Sequence, residues 1–347
     1  MFATLAGRYP GPPAGSDAES GDGDPVDRAV ADVVGVQEAT GLELVSDGQV
    51  RWPDLGRALA IGLGGVDRAD RVRIDASPAW TRPLTVAAWQ STSAATTRGV
   101  TKASLIGPCT LSAEIDGPLR AETLVLGLAE ALNAEIGALQ EAGCPFVEVI
   151  EDGLVRMGEA RGTLFREAQR RLTAGREAGH LSLVVRGGNA DRMGIDALFD
   201  APYRSYCFDL VVGPDNWRLV AQAPRDRGII CGALDARPGA SVDVDVLVWA
   251  AQYAASTGRR GLDRVGLAPS GDLDALSWGE ARRRLEVLGR AARLAVQPGV
   301  ESGRALDPRA VDIRSAALGR FMPRVTPPAR ITRPSRAAAP TDPPRRD

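Results

Sequence analysis

Short apolar segments alternate with longer amphipathic segments along most of the chain. The apolar segments are rich in Val, Ile and Leu and are mostly followed by Gly, Pro, Asp or Asn, a pattern typical of buried strands. The predicted strands are Phe2–Gly7, Leu42–Ser46, Ala103–Gly107, Phe146–Ile150, Leu181–Arg186, Cys207–Val212, Gly228–Ala233 and Asp263–Leu267. Eight strands interleaved with helices predict an α/β fold, a single closed (β/α)8 TIM barrel.

The segments between these strands carry helix signals. Apolar residues recur at spacings of three or four within Arg120–Ala142, which predicts a helix with one apolar face. Asp-Pro begins the predicted helix Asp24–Thr40, and the capping box Ser-Trp-Gly-Glu begins the predicted helix Ser277–Ala295. A fourth helix, Arg161–Ala178, is charged along one face.

Two segments have compositions that do not fit the barrel. Residues 11–25 are rich in Gly, Pro, Ser and Asp, which predicts a mobile loop after the first strand. Residues 320–347 contain seven prolines, seven arginines and two acidic residues. We predict a disordered tail there, because such a segment cannot bury a core. The predicted organisation is one barrel domain over residues 1–319 followed by this tail.

Composition narrows the classes of function. The chain has 347 residues, of which 44% are apolar and 25% charged, as in soluble globular proteins. Its 42 basic and 44 acidic residues give a net charge of −2, so we do not expect a nucleic-acid binder. No run of 18 apolar residues occurs, so we expect no membrane span. The beginning of the sequence does not resemble a signal peptide, and we expect a cytoplasmic protein.

Histidine and lysine are almost absent from the sequence. The chain has one of each, His180 and Lys102, which excludes a three-histidine metal site. Arginine therefore supplies nearly all of the positive charge. Either a GC-rich genome or a functional need for fixed cations would produce this bias, and the residue counts leave both explanations open.

Polar side chains at the ends of the predicted strands are the candidates for function. In (β/α)8 barrels, reactive side chains project from the C-terminal ends of the strands and from the loops that follow. We predict acid–base roles for Glu151, Asp152 and Asp47. The predicted substrate-binding residues are Arg8, Tyr9, Gln49, Trp52, Asp54, Thr110, Arg186, Asn189, Asp209, Asp235, Arg237 and Ser270. The alternative is that half of these side chains form loop caps and ion pairs on the barrel rim.

Several segments resemble the cobalamin-independent methionine synthase family, which belongs with the uroporphyrinogen decarboxylase-like barrels. They are VVGVQEATGLELVSDGQVRWPDL at 33–55, KASLIGPCTLS at 102–112, GLAEALNAEIGALQEAGCPFVEVIEDGL at 127–154, RGGN at 186–189 and LAPSGD at 267–272. The resemblance covers about residues 3–295 and implies a single catalytic barrel. Members of the family transfer a methyl group from a methyltetrahydrofolate to a zinc-bound homocysteine thiolate.

The zinc ligands of that family are replaced in this sequence. With RGGN as the reference, the family's His-x-Cys pair falls on Val184 and Arg186, its glutamate near Asp209 and its last cysteine on Ser270. Valine and arginine do not bind zinc, and serine is a poor ligand beside a thiolate. The resemblance therefore implies a barrel without zinc that is not a working methionine synthase. An ion pair between Arg186 and Asp209 and an anion-binding role for Arg186 are both open.

Two functions from different classes fit these observations. The first is a divergent enzyme that catalyses group transfer, methyltransferase-like, or lyase chemistry on an anionic substrate that is amino-acid-like or pterin-like. No metal is expected, and a folate or pterin would fit against Trp52 or Trp80. The second is a non-catalytic barrel that binds a ligand or supports a protein partner or a second copy of the chain. A charged, open pocket favours the first function, whereas the lost catalytic groups favour the second.

Overall fold

The computed structural model describes residues 1–12 and 24–297. Most of the predicted loop 11–25 and the whole predicted tail 320–347 lie outside the described residues. The strands are β1 (Phe2–Ala3), β2 (Leu44–Val45), β3 (Val66–Asp67), β4 (Val72–Arg73), β5 (Val100–Ile106), β6 (Ile115–Asp116), β7 (Phe146–Ile150), β8 (His180–Val185), β9 (Ser205–Asp209), β10 (Gly228–Leu234) and β11 (Val265–Pro269). The α-helices are α1 (Pro25–Thr40), α2 (Leu55–Gly62), α3 (Val86–Ala95), α4 (Pro108–Ser112), α5 (Ala121–Glu141), α6 (Gly162–Thr173), α7 (Ile195–Asp200), α8 (Asn216–Gln222), α9 (Val244–Ser256) and α10 (Trp278–Ala295).

Eight of these strands form one parallel barrel. Their order is β1-β11-β10-β9-β8-β7-β5-β2, and a parallel bridge between Thr4 and Leu44 brings the two edge strands together. The predicted (β/α)8 fold is confirmed, and the strand Phe146–Ile150 has the predicted bounds. The remaining strands β3, β4 and β6 form a small separate sheet that the sequence pattern did not predict. Each has only two residues, which is too short for a visible alternation of apolar and polar positions.

The first two barrel strands are shorter than predicted, and the reason is visible for β2. The side chain of Gln37 on α1 pairs with the backbone of Ser46: Gln37 Nε2 donates to Ser46 O (2.6 Å), and Ser46 N donates to Gln37 Oε1 (3.1 Å). The backbone groups of Ser46 are therefore used by a helix side chain instead of a neighbouring strand. This contact ends the strand before the predicted boundary at Ser46.

The predicted starts of the first and the last long helix are confirmed. Asp24 accepts a hydrogen bond from Val26 N, and Ser277 accepts one from Glu280 N, so both residues are N-caps. The predicted end of the helix at Ala178 is wrong, because α6 ends at Thr173. The Asn133 side chain binds carbonyl groups at this end of the helix, and Gly175 has a left-handed φ of 71°.

The barrel has an outer core beneath the helices and a second core inside the sheet. The inner core contains Ala6, Leu44, Phe146, Ile150, Val184, Cys207, Ile230 and Ala268. Lys102 and Glu148 form an ion pair within the barrel, with side chains 0% and 3% exposed and Nζ 2.6 Å from Oε2. Lys102 Nζ also donates to Leu5 O (2.6 Å), and Ser104 Oγ donates to Glu148 Oε1 (2.6 Å). This arrangement satisfies a buried charge pair that would otherwise be costly.

Within the described residues, no helix is long and apolar enough to span a membrane.

Candidate functional site

A cavity of about 560 Å³ opens where β7, β8, β9, β10 and β11 end. We call it the mouth cavity; its volume lies within the range of about 300–1,000 Å³ that is usual for small-molecule sites. The charged and hydroxyl side chains on its wall are Asp152, Arg156, Arg186, Asp209, Arg237, Ser270 and Asp272. Five of these side chains were predicted to belong to the site, and the C-terminal ends of the strands bring them together.

Arg186 links three elements at the rim of the mouth cavity. Its guanidinium lies 2.7 Å from Asp152 Oδ2 and 2.7 Å from Asp272 Oδ1, and it donates to Ala6 O (3.3 Å). The residue is 8% exposed. Burial lowers the pKa of Arg186, but the two carboxylates more than offset this effect and raise it. Of the two possibilities that the sequence left open, the ion pair between Arg186 and Asp209 does not form, because Asp152 and Asp272 occupy the guanidinium instead.

Asp209 binds backbone amides at the end of β9. Oδ1 accepts from Val211 N and Val212 N (both 2.9 Å), and Oδ2 accepts from Gly187 N (3.0 Å). Burial raises the pKa of Asp209, and these three amides oppose that shift only in part. The structure therefore provides the mouth cavity with a carboxyl group whose proton affinity is increased.

Asp235 and Arg237 form a local pair on the loop after β10. Arg237 Nη2 lies 2.5 Å from Asp235 Oδ2, and the side chain of Arg237 remains 56% exposed. Burial raises the pKa of Asp235, but the hydrogen bonds and the charge of Arg237 lower it by more. The pKa of Asp235 is therefore lowered overall. Ser270 Oγ accepts from Ala236 N (3.3 Å) and so supports the same loop.

Arg156 is a cation of the mouth cavity that our sequence analysis missed. It lies at the end of the short 3₁₀ helix Asp152–Arg156, which follows β7. Within residues 1–12 and 24–297 no carboxylate lies within ion-pair distance of its guanidinium, in contrast to Arg186 and Arg237. The signal that could have found it is its place in the loop after the fourth barrel strand, four residues beyond Asp152.

A second cavity of about 620 Å³ adjoins the mouth cavity, and we call it the side cavity. Arg156 lines both cavities, so the two share part of a wall. The polar part of the side cavity's wall also includes Thr110, Ser112, Arg161 and the carboxylates of Glu114 and Asp116. Most of its remaining wall is apolar and includes Ile74, Ile115, Leu119, Leu124, Val125 and Met157. Thr110, predicted to bind substrate, therefore faces this cavity and not the mouth cavity.

Glu151 does not line either of these two cavities. It is fully buried, and both carboxylate oxygens accept hydrogen bonds. Oε1 accepts from Cys109 N (3.1 Å) and Gln169 Nε2 (2.9 Å). Oε2 accepts from Thr110 N (2.8 Å) and Thr110 Oγ1 (2.7 Å). Burial raises the pKa of Glu151, against the effect of these donors. The geometry corrects the predicted acid–base role: Glu151 fastens the first turn of α4 to β7.

The predicted group after the second strand is separate from the mouth cavity. Asp47, Gln49 and Trp52 surround a small cavity of about 20 Å³. Burial raises the pKa of Asp47. Asp54 caps α2 by accepting from Arg57 N (2.9 Å). Trp80 donates to Glu135 Oε2 (2.8 Å), which bonds its indole to α5, and Trp80 lines neither the mouth cavity nor the side cavity.

Three further predicted residues make loop contacts instead of lining the mouth cavity. Arg8 donates to Pro53 O (2.8 Å) and pairs with Asp274 (3.2 Å). The Tyr9 ring packs edge-on against Trp278, with a centroid distance of 5.1 Å. The Asn189 side chain bonds to the Asp215 carboxylate (2.9 Å) and backbone amide (3.0 Å). These contacts match the alternative that part of the predicted set stabilises the barrel rim.

The residues at the family's zinc position do not fit a zinc ion. Val184 is apolar and lies in the inner core, and Arg186 presents a cation. Ser270 Oγ already accepts a backbone hydrogen bond, which leaves Asp209 as the one carboxylate of the set. No group of three or more His, Cys, Asp or Glu side chains that could hold a metal ion occurs among the described residues. Zinc needs several such ligands in a tetrahedral arrangement.

Zinc content tests this conclusion directly. Protein produced in zinc-supplemented medium and passed through a desalting column is expected to contain far less than one zinc per chain, because the donor set lacks thiolate and imidazole ligands. Elemental analysis by mass spectrometry measures the content. A value near one zinc per chain that survives mild chelation would contradict the reading of Val184 and Arg186 as replacements of the ligands.

Comparison with known proteins supports the fold. No protein-family model and no curated protein matches the chain. A B12-independent methionine synthase from a Shewanella species, solved in complex with selenomethionine, has a TM-score of 0.72 and 15% identity over 85% of this chain and 98% of its own. A putative B12-independent methionine synthase from Listeria monocytogenes has a TM-score of 0.68 and 17% identity, over 84% of this chain and 97% of its own.

A third solved structure extends the likeness to another methyltransferase. The enzyme, from Methanosarcina mazei, has a TM-score of 0.57 and 13% identity over 84% of this chain and 93% of its own. At these identities the likeness concerns the fold. The chain therefore has the barrel fold of B12-independent methionine synthases and of this methyltransferase.

Proposed function

We propose that the protein is a zinc-independent, methyltransferase-like enzyme that transfers a group to or from a small anionic substrate in the mouth cavity. The observation that carries the proposal is the position of Arg156 between two adjoining cavities. Among the described residues no carboxylate lies within ion-pair distance of it, and Glu114 interacts with it only through charge at longer range. A group transfer needs two reactants held side by side. The charged mouth cavity suits a polar reactant. The side cavity, which combines apolar side chains with the carboxylates of Glu114 and Asp116, suits a flat heterocycle such as a pterin.

The arginines that bind the substrate anion are those whose guanidinium groups still have donors directed to the mouth cavity. Arg186 is occupied by Asp152 and Asp272, so it forms the wall and does not bind the substrate anion. Arg156 and the exposed guanidinium of Arg237 supply the N–H donors. Arginine is always charged and offers a planar fork to a carboxylate or phosphate.

Asp209 is the proposed general base in place of Glu151, Asp152 and Asp47. It lines the mouth cavity, and its Oδ2 accepts only one backbone amide, which leaves a lone pair for a substrate proton. Burial raises its pKa, which brings the carboxyl group closer to the range where a base works near neutral pH. In this arrangement Asp209 takes the proton that a zinc ion would otherwise help to remove from the nucleophile.

Binding by an Arg156→Gln variant tests the proposal. The ligand is first selected by thermal-shift screening of α-amino acids, pterins and organic phosphates, and its affinity is then measured by calorimetry. Loss of one charge-assisted contact is expected to weaken binding by about 1.5–3 kcal/mol, which is roughly ten- to a hundredfold. Arg290→Gln on the exposed face of α10 is the matched control and is expected to bind like the wild type. Equal affinity in all three proteins would refute the mouth cavity as the anion site.

The alternative function is a non-catalytic ligand-binding barrel. It is favoured by the hydrogen bonds that occupy Glu151 and Asp152, the two carboxylates that the sequence suggested as catalytic. The Asp209→Asn variant separates the two functions, because it removes the proposed base and keeps the side-chain shape. An enzyme is expected to lose turnover of the selected ligand while it retains binding. If both the wild type and the Asp209→Asn variant bind the ligand without converting it to a product, the protein is a binding protein.

A further inference from the structure

The opposite end of the barrel holds a further cavity, of about 380 Å³, which we call the base cavity. It lies where β8, β9, β10, β11 and β1 begin, and so at the far end of the strands from the mouth cavity. Its wall includes the aromatic ring of Phe2 and the side chain of Ile230. Neither the proposed catalytic groups nor the residues of the family resemblance explain a cavity at this end.

Three arginines line the base cavity, and each is held in place by one loop carbonyl. The bonds run from Arg204 Nη2 to Glu177 O (2.7 Å), from Arg227 Nη1 to Tyr203 O (2.8 Å) and from Arg264 Nη1 to Arg225 O (3.3 Å). A guanidinium has five N–H donors, so each retains donors for a ligand. In the described part of the chain, Arg204 and Arg264 have no carboxylate within ion-pair distance, and Arg227 lies 3.4 Å from Asp226.

The charge of this region is positive. Asp226 and Asp263 are the two carboxylates of the cavity wall, against three arginines. A fourth arginine, Arg260, is buried nearby and bonds to Arg227 O and to further carbonyl and hydroxyl oxygens. Fixed cations in excess over anions, beside an apolar wall, suit a ligand with an anionic head and an apolar body.

The inner part of the base cavity is polar and uncharged at neutral pH. His180 stacks on Phe146 with a centroid distance of 4.2 Å, and its Nε2 lies 2.8 Å from Ser205 Oγ, which hydrogen-bonds to Ser182 Oγ. Burial and the charge of Arg204 lower the pKa of His180 to about 4. The imidazole is therefore neutral and adds no further charge to the site.

We propose that the base cavity is a second ligand site, which binds a small organic phosphate through Arg204, Arg227 and Arg264. The apolar part of the ligand packs against Phe2 and Ile230. A phosphate group matches three guanidiniums because its three oxygens accept from donors on different sides. This site does not depend on the function proposed for the mouth cavity, since the two cavities share no residue.

The only histidine of the chain makes the test specific. In the full-length protein with labelled histidine, one imidazole signal reports on the base cavity. Titration with phenyl phosphate at constant ionic strength is expected to shift the His180 Hε1 resonance in a saturable way. A nuclear Overhauser effect from the phenyl protons to Hε1 is expected as well. The double variant Arg204→Gln/Arg264→Gln is expected to bind about tenfold or more weakly, whereas Arg156→Gln in the mouth cavity is expected to bind like the wild type.

The controls separate the proposed site from weak ionic binding. Inorganic phosphate is expected to bind more weakly than phenyl phosphate, because it lacks the apolar body that contacts Phe2 and Ile230. The proposal is overturned if the His180 shift does not saturate in the millimolar range, or if the folded double variant gives the wild-type affinity. Should the double variant fail to fold, the Overhauser effect in the wild type decides, and its absence at saturation also overturns the proposal.

Discussion

Replacement of Lys102 by methionine is expected to lower the free energy of unfolding by about 3–5 kcal/mol, because it leaves Glu148 as a buried carboxylate without its cation. The two side chains are 0% and 3% exposed, and the Lys102 ammonium also donates to Leu5 O. Ser104 alone would remain as a hydrogen-bond donor to Glu148. Urea denaturation followed by circular dichroism measures the change.

The double variant Lys102→Met/Glu148→Gln shows whether the unpaired charge causes the loss. It removes both charges, so we expect it to be more stable than Lys102→Met alone. The control is Arg282→Met, which breaks an ion pair with Glu286 whose side chains are about half exposed. This change is expected to cost less than about 1 kcal/mol. If Lys102→Met cost no more than Arg282→Met, the buried pair would not be important for stability.

The fold was predictable because it depends on a repeated local pattern. Each barrel strand is a short apolar segment followed by turn residues, and this pattern identified all eight. The strand ends depend on contacts that are distant in the sequence or made by side chains, such as the bonds from Gln37 to Ser46 that end β2. Periodicity does not contain that information, so the predicted boundaries of β1 and β2 extended too far.

The position of the site was also predictable from the sequence. The partners of its charged side chains were not. The rule that functional groups follow the C-terminal ends of strands correctly placed Asp152, Arg186 and Asp209 at one cavity. It could not show that Arg186 pairs with Asp272, which is 86 residues away, and not with Asp209. Nor could it separate Glu151 from Asp152, because adjacent residues at the end of a strand point in different directions.

Arg156 was missed for a different reason. It lies in an irregular loop, where neither helical nor strand periodicity applies. In a chain with 42 basic residues, nearly all of them arginine, one further exposed arginine gives no signal in the sequence. Its significance appears only when the partners of the other two mouth arginines are known. Among the described residues, Arg156 is then the one arginine of the mouth cavity that has no carboxylate within ion-pair distance.

Arg186→Met is expected to lower the free energy of unfolding by about 2–4 kcal/mol. Without the guanidinium, Asp152 and Asp272 would face each other as unpaired carboxylates, and the link to Ala6 O would be lost. Their side chains are 30% and 39% exposed, so water reduces the penalty below that of the fully buried Lys102–Glu148 pair. Urea denaturation at neutral pH measures the loss.

Arg237→Met is the matched control for Arg186→Met. It removes an arginine from the same cavity, but the side chain is 56% exposed and its carboxylate partner lies on the same loop, so the expected cost is below about 1 kcal/mol. A second variant, Arg186→Met/Asp272→Asn, is expected to recover part of the stability because it removes one of the two facing charges. Arg186 thus stands where the resemblance to methionine synthases implies a zinc ligand, and we expect it to stabilise the barrel there. If Arg186→Met kept full stability and lost anion binding instead, Arg186 would be the substrate-binding residue that the sequence suggested, and its structural role would be wrong.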